Sequence, residues 1–350
     1  MDELWSPDIL GESFWARTLS LEPDDEGPRV ATLVAYEPDD GTPPHPQADA
    51  TGTPAGYGDG PPAEPRHVRA VLYIHGFSDY FLHSELAATL HSGGWAFFAL
   101  DLHKHGRSLL PGQTPGFVNA LDDYDADLEA AITALRERLA QRHGADTAVG
   151  LALMAHSTGG LTAALWAARN PGRISALVLN SPWLDTQGSA LLRTAAQGIL
   201  DTVSRRRPKA RLRLPEHGFY YRSISDTRDG EWSIDPVWRP ETGFPVRAGW
   251  LAAVLAGHAA LARGVVVKAP VLVLCSTAST ISTIWNSSML QTDTILDVAP
   301  MVRRAAELGH IVTIRRLPGA LHDVFLSRRD VRQEAIGATA WWLDAYVPAD

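Results

Sequence analysis

One cysteine, Cys275, is all that the 350 residues offer, so no disulfide closes within the chain, and such a composition suits a reducing compartment. The opening Met1-Asp2-Glu3-Leu4-Trp5 has neither the basic nor the apolar stretch of a secretory leader, and no apolar run is long enough to span a bilayer. The expected location is therefore the cytoplasm. Basic residues are in deficit too: 31 stand against 40 acidic ones, for a net charge of -9. That balance excludes a general nucleic-acid partner, because neutralising phosphates needs basic surface. What the chain does hold is 45% hydrophobic residues, ample for a sizeable core.

Short apolar runs of strand type recur along the chain. Phe14 to Leu21 and Arg29 to Glu37 read as an antiparallel pair joined by an acidic turn, Glu22 to Gly27. From Pro38 to Pro65 lie eight of the 24 prolines with five glycines, a composition with little to bury, so a flexible loop is expected over 38–65. Val68 to Ile74, Trp95 to Leu100, Val149 to Ala155, Ile174 to Leu179, Pro270 to Cys275 and Ile311 to Leu317 follow as buried strands. Helical stretches separate them. The clearest is Tyr124 to Arg142, with Leu128, Ile132, Leu135 and Leu139 on one face, aspartates at its start and arginines near its end. Alternating β and α elements predict a mainly parallel sheet covered on both sides.

Asp185 to about Lys268 breaks that rhythm, with Trp232, Trp238, Trp250 and many arginines. An insertion at the carboxyl edge of a parallel sheet sits above the ligand crevice, so this stretch is read as a lid. The expected division is a core over 1–185 and 268–350, with a cap over 186–267. Inside the cap, Arg205 to Arg213 packs six positive charges into nine residues. A solvated face explains such a run, and transient contact with an anionic membrane surface is the sharper reading.

The chemistry concentrates around Ser157. Leu151 to Ala155 runs into His156-Ser157-Thr158-Gly159-Gly160, and a helix-forming stretch ended by Pro171-Gly172 follows. A serine on a tight strand-to-helix turn needs small residues two before and two after it, here Ala155 and Gly159. A serine hydroxyl is a poor nucleophile at neutral pH and needs an imidazole base oriented by a carboxylate. Four histidines follow it as candidate bases: His217, His258, His310 and His322. His322 follows the last strand in the turn Pro318-Gly319-Ala320-Leu321 and is the chosen base; His310 precedes that strand, and His217 and His258 belong to the insertion as surface or packing residues. Tyr73-Ile74-His75-Gly76-Phe77 ends an earlier strand in a His-Gly turn, so the Phe77 and Thr158 amides are the expected oxyanion hole, with His75 ordering the loop. His103-Lys104-His105 lacks the helix-spaced His, Glu or Cys partners of a metal site.

His75-Gly76-Phe77, Asp101 to Ser108, Ala155 to Gly160 and Gly319 to His322 together resemble the α/β-hydrolase superfamily, and within it the monoacylglycerol lipase and lysophospholipase branch, serine aminopeptidase S33-like. The resemblance covers about residues 66 to 346 and is weakest in the lid. It implies an α/β fold with an eight-stranded, mostly parallel sheet flanked by helices, a cap after the sixth strand, no cofactor and no metal. It further implies hydrolysis of a small-molecule carboxylic ester with a lipid-like acyl chain by a Ser-His-Asp triad through an acyl-enzyme. The branch places Gly-x-x-Asp directly after the seventh strand, yet Ser276-Thr277-Ala278-Ser279-Thr280 carries no carboxylate. Asp293 in Thr292 to Val298 is taken as that acid, displaced by an insertion; Asp297 and Asp185 are the alternatives. An amidase or peptidase using the same triad, and a non-catalytic α/β-hydrolase-like binding protein, remain as rival functions. Acyl length and oligomeric state are not encoded in these motifs.

Overall fold

The computed structural model describes residues 4–38, 67–185, 200, 202–214 and 217–348. Nearly all of the expected 38–65 loop, and residues 186–199 of the expected cap, fall outside these.

Nine strands form one sheet in the order β1-β2-β3-β5-β4-β6-β7-β8-β9. They are β1 (Ser6–Asp8), β2 (Gly11–Asp24), β3 (Gly27–Tyr36), β4 (His67–Ile74), β5 (Trp95–Asp101), β6 (Ala148–His156), β7 (Ala176–Asn180), β8 (Val271–Ser276) and β9 (Val312–Leu317). β1, β2 and β3 pair antiparallel, β3 runs antiparallel to β5, and every pairing from β5 to β9 is parallel. The count exceeds the expected eight by β1, a three-residue strand too short to leave a period in the sequence. The helices α1 (Ser84–Ser92), α2 (Asp125–His143), α3 (Ser157–Arg169), α4 (Phe219–Ile224), α5 (Ala248–Ala262), α6 (Val298–Ala305) and α7 (Arg329–Tyr346) supply the other layers.

Alternation along each central strand sends side chains to opposite faces. Ala70, Leu72 and Ile74 of β4 and Leu151, Leu153 and Ala155 of β6 join one core with α2, α3 and α5. Val71 and Tyr73, with Ala152 and Met154, join another with α1 and α7. Burial on both faces is why these strands read as unbroken apolar runs. The charge pattern of α2 divides into two roles: Arg142 and His143 lie in its last turn, whereas Asp127 is fully buried and accepts bonds from the His103 backbone N–H at 2.7 Å and from its ring Nδ1 at 2.8 Å. His103 and Lys104 are thus engaged separately. Lys104, at φ 62° and 1% exposed, pairs with Asp24 at 2.6 Å and Glu26 at 2.7 Å at the tip of the β2–β3 hairpin. The same tip holds Lys209 of the basic segment, through Asp25 at 2.5 Å and Glu26 at 2.9 Å.

The turn after β5 explains the placement of β1. Asp101 accepts from the Phe81 N–H at 2.9 Å and from Arg107 at 2.8 Å, and the same guanidinium grips both oxygens of Asp8, at 2.6 and 2.8 Å. Gly106 is required there: at φ +45° its Cβ would sit 2.5 Å from Asp101 and from Tyr80. Arg107, Asp8 and Asp101 side chains are 6%, 3% and 0% exposed. Replacing Arg107 by methionine strands two buried carboxylates, and denaturant unfolding is expected to show a loss of about 3–5 kcal/mol; a loss below ~1 kcal/mol would mean that water reaches the site.

Candidate active site

Ser157 opens α3 directly from the end of β6, with φ +53°, a left-handed conformation tolerated in a non-glycine residue only where its surroundings fix it. The surroundings are close-packed. A Cβ on Gly159 would collide with the His75 carbonyl oxygen, one on Gly160 would meet Pro182 at 2.7 Å, and one on Gly76 would lie 2.9 Å from the Ser157 Cβ. Ala155 takes the other small position and is fully buried.

His322 and Asp293 reach this serine from far along the chain. Ser157 Oγ lies 2.9 Å from His322 Nε2, and His322 Nδ1 lies 2.9 Å from Asp293 Oδ2. The other oxygen of Asp293 accepts the Ile295 and Leu296 amides, each at 2.8 Å, which leaves Oδ2 aimed at the imidazole. The delayed acid has a structural reason. Asp293 forms an isolated bridge with Ser279, with Thr280 N–H donating to Asp293 O at 2.8 Å and Asp293 N–H to Ala278 O at 3.0 Å. Residues 281–292 loop out between them, and the carboxylate returns to the end of β8.

The alternative acids sit elsewhere. Asp297 caps α6 by accepting the Ala299 N–H at 3.0 Å, and Asp185 is partly exposed, 3.6 Å from Arg304. Of the other histidines, His310 is exposed, His258 is buried with Nε2 2.9 Å from Trp183 O, and His217 stacks on Phe219. His75 orders its loop through Nε2, which accepts the Leu102 N–H at 3.0 Å.

Ser157 and His322 open into a cavity of about 420 Å³ that Phe77 and Thr158 also border. The Thr158 amide is in the first turn of α3, where N–H groups have no intrahelical acceptor. Trp183, Phe219, Phe244, Val246, Trp250 and Ile295 supply apolar wall, and Phe77 packs against Trp250 with ring centroids 3.9 Å apart. Five of those six come from the segment between β7 and β8, and four of them from the 186–267 stretch read as a lid.

Beneath the Ser-His-Asp array runs a buried polar network that the motifs did not disclose. Asp323 accepts from His83 Nε2 at 2.8 Å, Asn180 Nδ2 at 2.6 Å and the Phe325 N–H at 3.0 Å, and His156 Nδ1 donates to Asn180 O at 3.1 Å. Burial alone would raise the Asp323 pKa, but the neighbouring His83 and His156 imidazoles hold it far below the usual carboxylate range. Burial lowers that of His156 to about 4, outweighing the attraction of Asp323. Asp79, His156 and Asp323 could bring three ligand atoms within 4.8 Å, yet Asp79 already pairs with Arg239 at 2.8 Å and Asp323 with His83, so the trio fits a hydrogen-bonded network better than a cation site. The only hint in the sequence was adjacency: His156 precedes the serine and Asp323 follows the histidine.

Comparison with known proteins gives a family and a fold. Residues 65–328 match the model of the family described as Serine aminopeptidase, S33. No curated protein matches the chain. Among solved structures, the fold resembles Paleococcus ferrophilus monoacylglycerol lipase, with TM-score 0.57 and 21% identity over 79% of this chain and 94% of that one. It also resembles a soluble variant of monoglyceride lipase from Saccharomyces cerevisiae in complex with a substrate analog, with TM-score 0.61 and 18% identity over 93% and 94%. A highly thermostable carboxyl esterase from Bacillus coagulans in complex with glycerol gives TM-score 0.60 and 14% identity over 96% and 99%.

His156 makes a pH prediction. Its folded pKa lies below the ordinary 6.5, so the unfolded chain binds the extra proton first; the stability from keeping it neutral is full above about pH 6.5 and is lost as pH falls toward 4. Burial lowers His258 in the same direction. The urea midpoint should fall across that window, and His156→Gln should make the fall shallower; an unchanged slope would assign the acid limb to other groups.

Proposed function

The chain belongs to the serine aminopeptidase S33 family, and on that premise we propose that it is a carboxylic ester hydrolase working through Ser157, His322 and Asp293 and taking lipid-like substrates of the monoacylglycerol or lysophospholipid type. One observation carries the reading: a serine Oγ, an imidazole and a buried carboxylate in series, 2.9 Å at each step, at the floor of an apolar cavity. His322 Nε2 takes the Ser157 proton as Oγ attacks the ester carbonyl. The oxyanion forms beside the Phe77 and Thr158 amides, and His322 returns the proton to the departing alkoxide. Water, deprotonated by the same imidazole, then attacks the acyl-enzyme, and the acid leaves as Ser157 regains its proton.

No step in this sequence calls on a cofactor. We assign the hydrolase core to residues 1–185 and 268–350 and the cap to 186–267, with aromatic cap residues contacting the acyl chain. A location in the cytoplasm belongs to the same proposal, and among the described residues no helix is long and apolar enough to cross a membrane. The basic segment Arg205 to Arg213 is the proposed place of transient contact with anionic lipid, although its Lys209 is held by the acidic hairpin. Ester over peptide substrates is favoured by the pairing of the buried carboxylate that borders the cavity: Asp79 lies against Arg239 at 2.8 Å and is not left to receive a peptide's terminal ammonium.

A fluorophosphonate probe should label the wild-type chain and not Ser157→Ala. Asp293→Asn should lower kcat by about 10⁴-fold, while Asp185→Asn and Asp297→Asn should stay close to wild type in p-nitrophenyl ester assays. Absence of labelling would favour a binding protein, and faster cleavage of aminoacyl amides than of monoacylglycerols would favour a peptidase.

A further inference from the structure

We propose that Arg239 is a positioning residue for the oxyanion turn: its guanidinium holds Asp79, and through Asp79 it fixes the backbone that presents the Phe77 amide. The inference rests on the reading of Phe77 and Thr158 as the oxyanion hole. Arg239 lies 160 residues after Asp79, in the segment between β7 and β8, so part of the proposed catalytic geometry depends on how that segment docks.

The turn after β4 is held partly from outside itself. Ser78 adopts φ +53°, and such a conformation survives only where the surroundings over-determine it. Three bonds come from within the turn: His75 Nδ1 donates to Gly76 O at 2.7 Å, and Asp79 accepts the Tyr80 N–H at 2.9 Å and, at a long 3.5 Å, the Gly76 N–H. Three more come from the inserted segment. Phe244 N–H donates to Ser78 Oγ at 2.9 Å, Asp235 N–H donates to Tyr80 Oη at 2.9 Å, and Arg239 Nη1 donates to Asp79 Oδ1 at 2.8 Å.

Of these, the ion pair is the least replaceable. The Arg239 and Asp79 side chains are 6% and 2% exposed, so water cannot take over the charge of either partner if the other is removed. Burial would raise the Asp79 pKa, yet Arg239 foremost, with His156 and His75, keeps it below the ordinary carboxylate value. The turn is therefore built around an anion that needs this guanidinium.

Arg239 also touches the other half of the site. Its guanidinium lies 5.0 Å from the Tyr220 ring centroid; that ring meets His322 edge-on at 5.4 Å, and Tyr220 Oη accepts the Asp323 N–H at 3.2 Å. One buried arginine thus borders both the turn that would stabilise the oxyanion and the loop that carries the base.

The test uses the full chain with p-nitrophenyl butyrate as substrate and an alkyl trifluoromethyl ketone as transition-state analogue. Arg239→Met should lower kcat about 100-fold with KM changed by less than about threefold, comparable to loss of one oxyanion donor. Affinity for the ketone should fall in step with kcat/KM, which general destabilisation would not produce. Arg239→Lys should restore about a tenth of the wild-type activity and no more than about half, since it keeps the charge without the fork. In an Asp79→Asn background, Arg239→Met should cost little more, because the two residues act as a unit. Wild-type kcat in Arg239→Met overturns the inference, and so does a rise in KM alone, which would make the arginine a substrate contact. Should the methionine variant fail to fold, Arg239→Lys decides: a matched loss of kcat and ketone affinity supports the proposal, and wild-type values overturn it. If the wild-type chain itself neither turns over the ester nor takes a fluorophosphonate at Ser157, the hydrolase reading has failed and the inference falls with it.

Discussion

The arrangement depends on a backbone held in an unfavourable conformation. Ser157 sits at φ +53° because β6 must end and α3 must begin with no intervening loop, and the space left by Gly159 and Gly76 lets the β4 turn press against it. That single constraint exposes the hydroxyl, starts the helix beneath it and brings the Phe77 backbone alongside. The surrounding sheet acts as the clamp: β4, β6 and β7 are buried on both faces, so the strain is borne by a core that cannot readily shift.

A second constraint is electrostatic. Asp79, Asp293 and Asp323 are each at most 2% exposed, and each has a dedicated partner: Arg239, His322 and His83. Buried carboxylates are tolerated only when every oxygen is met, and here the requirement links loops that are far apart in the chain. Asp323 ties the histidine loop to α1 through His83 and to β7 through Asn180. The imidazole that faces Ser157 is therefore anchored twice, once by Asp293 and once through its neighbour in sequence.

Much of this was legible from residues alone, for reasons that differ by element. Strands such as Val68 to Ile74 and Trp95 to Leu100 lie close to their observed limits because burial on both faces leaves an uninterrupted apolar signature. Ile174 to Leu179 begins too early, since β7 starts at Ala176 and Ile174 is a buried apolar residue of the turn before it. The serine and the histidine could be located because their turns impose local steric demands. The carboxylate was harder: residues 281–292 separate it from β8, and only the bridge between Ser279 and Asp293 shows that the gap closes in space. Arg239, Tyr220, His83 and Asn180 left no local trace, because what makes them matter is a partner more than 100 residues away.

The acidic hairpin tip has an implication for how the chain can be divided. Residues 65–328 carry the family likeness, and β1, β2 and β3 precede them. Yet the ammonium of Lys104, 1% exposed, draws its counter-charges from Asp24 and Glu26 in that preceding part, and Arg107 draws on Asp8. A fragment trimmed to the region of likeness would retain both sequestered cations, discard the two counter-charges of Lys104 and leave Arg107 with Asp101 alone. The N-terminal strands are thus a covalently attached counter-ion for the domain, and any excision, fusion or circular rearrangement has to carry them along.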